Sequence, residues 1–180
     1  MQPTGFDFQK NHFQLFGLAQ SFEIDAAQLD LHYRALQARV HPDKSAHLSE
    51  AEQRLAMQHS TQVNEAYQTL RKPISRARYL LSLHGVDTQE DTNTSMPVDF
   101  LMAQMEWREA IAEAQEARDV EALDGLEGRL HRETRELETQ LAGKIDVVKD
   151  YAAAAGLVRK LRFMEKLAEE IHSAYDAIDL

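Results

Sequence analysis

Apolar residues recur at three- and four-residue spacing along almost the whole chain, and strand-like alternation never lasts. Only 7 Gly and 4 Pro interrupt those stripes in 180 residues, so the reading is all-α with long helices. Phe13, Leu15, Phe16 and Leu18 form a short first helix or turn. Asp25 with Gln28, and Ser49 with Glu52, have the three-residue spacing of a capping box, which marks a helix start. After the first box, Leu29, Tyr33, Leu36 and Val40 define one helical face; after the second, Leu55, Val63, Tyr67 and Leu70 define another. Pro73 suits the first turn of a helix over 74–83, and Gly85 would end it.

Between the two capped helices lies V-H-P-D-K-S, residues 40–45. Proline drives the residue before it out of the helical region, so the first helix should stop at His41. Asp43 then sits just past a helix C-terminus, where the macrodipole disfavours an anion by roughly 0.3–1 kcal/mol. Lys44 suits that place better. If the flanking stripes face each other in an antiparallel hairpin, His41, Pro42 and Asp43 stand at its tip. An ordinary solvated turn and a docking tip both fit these residues.

Residues 85–96 are polar and turn-prone, and they read as a linker between domains 1–84 and 97–180. Beyond it three helices are expected, over 97–118, 120–142 and 150–178, with Asp119 capping the second and Gly143 weakening its end. Short connections make them an antiparallel three-helix bundle. The last carries a seam of Tyr151, Val158, Leu161, Ile171, Tyr175 and Ile178. On a helical wheel, Phe100, Ala103, Trp107, Ala110, Ile111 and Ala114 of the first fall within an arc of about 100°. Leu101, Met102 and Met105 fall roughly 130–170° away from the centre of that arc, beside Glu106, Glu109 and Glu113. Either a neighbouring helix covers them, or they are an apolar patch with an acidic border that a partner covers. Phe163 lies off the seam of the last helix and joins the patch if the two helices are adjacent.

Charge is uneven. The net charge of −10 divides into nine Lys/Arg against eight Asp/Glu over residues 1–84, and eleven against twenty-two over 85–180. An acidic half repels phosphate backbones, so nucleic acid is not the expected partner. The absence of Cys removes disulfides and thiolate chemistry. No H-E-x-x-H and no G-x-x-x-x-G-K-[ST] occurs, so no metal, cofactor or nucleotide site and no catalytic group is expected. Neither a signal peptide nor an apolar run of membrane-spanning length is evident, which points to a cytoplasmic protein.

The stretch YRALQARVHPDK resembles the second helix and signature loop of a J-domain, the module that stimulates ATP hydrolysis by DnaK-type chaperones. Four separated segments are similar to the HscB family of J-domain co-chaperones: HFQLFGL at 12–18, NEAYQTLRKPISRARYLLSLHG at 64–85, FLMAQMEWRE at 100–109 and RKLRFMEKL at 159–167. Ala19 stands where the family often has proline, and Met105 stands at a position of similar apolar volume to the family's leucine. The resemblance implies docking on the chaperone HscA through His41, Pro42 and Asp43, with Arg34, Arg39 and Lys44 as the nearby cations. It also implies binding of the iron–sulfur scaffold IscU through Leu101, Met102, Met105, Glu106, Glu109, Glu113 and Phe163. The protein would be a monomeric adaptor without an active site. Two alternatives are a J-domain fused to a bundle for some other client, and a hydrolase using His41 with a carboxylate.

Overall fold

The computed structural model describes residues 10–40, 49–89 and 97–178. Within these lie α1 (His12–Leu15), α2 (Ala26–Val40), α3 (Glu50–Arg71), α4 (Pro73–Leu83), α5 (Val98–Ala117), α6 (Val120–Ala142), a π-helical segment (Gly143–Val148) and α7 (Tyr151–Ile178). The all-α expectation holds, with a hairpin in the first unit and a three-helix bundle in the second. The boundary between the two compact units falls within α4, between Leu80 and Leu81.

Local signals set most helix ends. Asn11 and Ser49 both close complete capping boxes, with Gln14 and Glu52. The Asp25 carboxylate accepts the Gln28 backbone N–H at 3.0 Å, satisfying one orphan donor of α2. Lys72 is extended, as a residue before proline must be, and Pro73 opens α4. Gly85, at φ +71°, turns the chain so that the Val86 N–H reaches the Leu81 carbonyl at 2.9 Å. Asp119 caps α6 through the Ala122 N–H at 2.9 Å. The α6 helix ends at Ala142, where the pattern placed its end, and its C-cap is Gly143. That glycine keeps right-handed helical dihedrals, and the chain widens into a π-helical turn before Lys149 reverses it.

In the first unit α2 and α3 run antiparallel. Asp30 meets Tyr67 and Arg71, while Tyr33 and Gln37 meet Asn64. Phe13, Phe16, Leu29, Val63, Ala66, Leu70 and Ile74 form the core beneath. By that register α2 reaches only about as far as His59. Leu55 therefore lies beyond it and is exposed, whereas the periodic stripe had placed it on the inner face. Arg76 of α4 is buried within the first unit: its Nε donates to the Phe22 carbonyl at 2.7 Å and Nη1 to the Leu70 carbonyl at 2.6 Å. It also covers the Phe22 ring.

In the second unit Phe100 meets Phe163 and Arg108 meets Glu170, so α5 and α7 run parallel. The α6 helix runs opposite to both, with Arg129 over Trp107 and Asp124 accepting from the Tyr175 hydroxyl. Trp107, Ile111, Leu123, Leu130, Met164, Leu167 and Ile171 fill the space between them.

Candidate docking surfaces

The α5 helix has two apolar faces. Trp107, Ile111 and Ala114 are buried and Phe100, Ala103 and Ala110 half-buried, as the wheel places them. On the other side Leu101, Met102 and Met105 are 43%, 58% and 71% exposed, and Glu106, Glu109 and Glu113 stand open to solvent beside them. Val98 is 72% exposed and belongs to the same ridge. Sequence reasoning missed it, although three- and seven-residue spacing to Leu101 and Met105 puts it on that face.

Phe163 differs from the expectation. It is only 7% exposed and belongs to the buried cluster of the bundle. It lies off the seam because α7 is covered from two sides, by α6 along the seam and by α5 at Phe163. Its ring meets Phe100 edge-on with centroids 5.4 Å apart. The Arg108 guanidinium lies 5.7 Å from its centroid and is paired with Glu170 at 3.3 Å, and Lys160 covers Phe100 at 5.5 Å. The aromatic pair is thus a floor next to Leu101, roofed by two cations.

In the first unit, His41, Pro42, Asp43 and Lys44 lie outside the described residues. Arg34 and Arg39 are exposed on α2, and neither forms an ion pair with a described residue. The neighbouring acid, Asp30, is occupied elsewhere. A hydrogen bond from Arg71, then one from the Tyr67 hydroxyl, holds its carboxyl below the ordinary value, with Arg34 adding a weaker attraction. The same bond to Asp30 raises the Tyr67 hydroxyl.

A family model described as the DnaJ domain matches residues 11–79, and one described as the HSCB C-terminal oligomerisation domain matches residues 96–172. The chain belongs to the HscB co-chaperone family. The resemblance drawn from residues 12–18, 33–44, 64–85, 100–109 and 159–167 is borne out. The co-chaperone protein HscB homolog of Chromobacterium violaceum is 56% identical over 172 residues, which span 96% of this chain and 97% of that one. The homolog from Azoarcus is 49% identical over 173 residues, 96% and 98% of the two chains. Among solved structures, the chaperone HscB from Vibrio cholerae superposes with a TM-score of 0.84 at 39% identity, covering 94% of this chain and 99% of that one. Human co-chaperone protein HscB gives 0.87 at 33% identity, covering 93% and 83%. As a J-domain HscB co-chaperone, the chain belongs to a family that acts with a chaperone rather than to a family of enzymes. No helix among the described residues is long and apolar enough to cross a membrane.

Proposed function

We propose that this HscB-family chain binds the iron–sulfur scaffold IscU on the α5 ridge, delivers it to the DnaK-type chaperone HscA and stimulates ATP hydrolysis by HscA during iron–sulfur protein maturation. The observation that carries this reading is the ridge of Val98, Leu101, Met102 and Met105. It is large, apolar and open on a helix whose opposite face already fills the core. Isolated exposed apolar residues need no explanation, but a contiguous row with an acidic border is the form of a partner site. Glu106, Glu109 and Glu113 select a partner surface carrying cations, and Phe163 supports the ridge from below by fixing Phe100.

The second contact lies in the other domain, residues 1–84, across the linker at 85–96. His41, Pro42 and Asp43 meet the chaperone, with Asp43 as the charged group and Arg34, Arg39 and Lys44 as the cations around it. The chain supplies no catalytic group in this scheme: ATP is bound and cleaved by HscA, and coupling arises because one molecule holds scaffold and chaperone together. The setting is the cytoplasm, and the working form is a monomer, which sedimentation at micromolar concentration tests.

Steady-state ATPase of HscA, with and without IscU and this chain, is the deciding experiment. Asp43→Asn should keep its helical circular dichroism and its IscU binding while losing stimulation. Stimulation retained by that variant would end the docking reading.

A further inference from the structure

Toward its docking end the α2–α3 hairpin runs out of buried apolar residues. Leu29, Val63, Ala66 and Leu70 are buried, yet no described side chain of α2 after Leu29 is, nor any of α3 before Val63. A polar ladder takes over on this stretch. The Tyr33 and Tyr67 rings stack with centroids 3.9 Å apart. The Tyr33 hydroxyl donates to Asn64 Oδ1 at 2.9 Å, and Gln37 Nε2 donates to the same oxygen. Gln37 Nε2 also reaches the Tyr33 hydroxyl oxygen at 3.3 Å. One amide oxygen on α3 thus receives donors from two α2 residues a turn apart. Among the described residues, Gln37 is the last of α2 to hydrogen-bond across to α3.

We propose that Asn64 is a positioning residue for the chaperone-docking end of α2. This rests on the reading that docking uses α2 and residues 41–44, and it asks what holds that end in place. Apolar contacts are non-directional, so a half-buried Leu36 alone would let the last turns of α2 roll or slide against α3. Hydrogen bonds lose strength steeply with angle, and two donors converging on one fixed acceptor set both rotation and register. Arg34 lies between Tyr33 and Gln37 on the stretch so fixed, and Arg39 is two residues beyond. Both cations are exposed, so their direction follows from how α2 is rotated.

Asn64→Leu removes the acceptor, and Asn64→Asp keeps an oxygen in its place. Asn64 itself is exposed, so the leucine variant retains the fold. In Asn64→Leu, amide exchange of residues 36–40 should accelerate about tenfold, the scale of one or two solvent-accessible hydrogen bonds, with α1 and α4 unchanged. The concentration of the variant giving half-maximal stimulation of HscA should rise by about twofold or more at an unchanged plateau, because the end of α2 is no longer held in one rotation and the docking-competent fraction falls. Asn64→Asp should recover both. Parent-like exchange in Asn64→Leu overturns the proposal, as does faster exchange with parent-like stimulation, which would leave the ladder purely structural. If Asp43→Asn still stimulates HscA, the docking reading itself fails, and the exchange result separates that failure from this one.

Discussion

Replacing Met105 with alanine should weaken scaffold binding more than replacing Leu101, and the exposures set that order. Fully burying such a side chain is worth about 1.5–3 kcal/mol, but docking gains only on the share still in water. Met105 is 71% exposed, Met102 58% and Leu101 43%. The corresponding ceilings are ~1–2, ~0.9–1.7 and ~0.6–1.3 kcal/mol. Phe163, already 93% out of water by its 7% exposure, has almost nothing left to gain. Adding Val98 brings the ridge to about 4–7 kcal/mol, which only meets the lower part of the ~4–15 kcal/mol that association costs. The remainder must come from the acidic border, so binding should be weak, micromolar and salt-sensitive. Titration calorimetry against apo IscU at two ionic strengths should give roughly a five- to thirtyfold loss for Met105→Ala, and about three- to ninefold for Leu101→Ala. A larger loss at Leu101 than at Met105, or salt-independent affinity, refutes this reasoning. Phe163→Ala is the contrasting control: it should lose about 3–5 kcal/mol of bundle stability, with binding weakened only through the fold.

Three further outcomes follow from other contacts. Arg76→Met keeps the aliphatic stem but strips the Phe22 and Leu70 carbonyls of their donor, and should cost the first unit roughly 2–4 kcal/mol. The chain has one tryptophan, Trp107 in the other unit, so tyrosine signal should show an earlier urea midpoint while tryptophan fluorescence serves as the internal reference; an unmoved tyrosine midpoint contradicts it. Because the Asp30 carboxyl is held below its usual 3.8, chiefly by Arg71, its contribution is present above that value and lost as pH falls through the lower folded value. Asp30→Asn should therefore flatten the acid limb of the first unit's stability curve, and superimposable limbs would exclude that origin. Removing the α6 cap with Asp119→Ala should cost about 0.5–2 kcal/mol, read as a lower midpoint of the Trp107 transition; an unchanged midpoint means the bond at Ala122 contributes nothing.

How much of this was legible in the sequence depends on how local each cause is. The Ser49–Glu52 box, Pro73 before a helix, Gly85 after it and the Asp119 cap all act within four residues, and each stands where the pattern placed it. Expected helices over 97–118, 120–142 and 150–178 became Val98–Ala117, Val120–Ala142 and Tyr151–Ile178, with the π-helical continuation unforeseen. Where burial depends on a distant element, periodicity misleads. Leu55 has the right spacing for the inner face, but α2 is too short to cover it. Phe163 has the wrong spacing for the α7 seam, but α5 covers it. Arg76 gave no signal as a structural residue, since one of its partners, the Phe22 carbonyl, is 54 positions away.

The two faces of α5 show why a wheel identifies the ridge without deciding its meaning. In a three-helix bundle each helix touches two others, and those contacts claim the inner arc alone. On α5 that arc holds Trp107, Ile111 and Ala114, and both neighbours meet it there. Large apolar groups half a turn away have no described side of the bundle to enter, so they contribute little to folding. Stability and docking thereby become separable on one helix. Met105→Gln should leave the Trp107 unfolding transition within about 0.5 kcal/mol of the parent, as surface changes do, while still lowering affinity for the scaffold. A destabilisation of several kcal/mol from that substitution would mean that the ridge is covered by the protein itself, and a surface already covered has nothing to offer a partner.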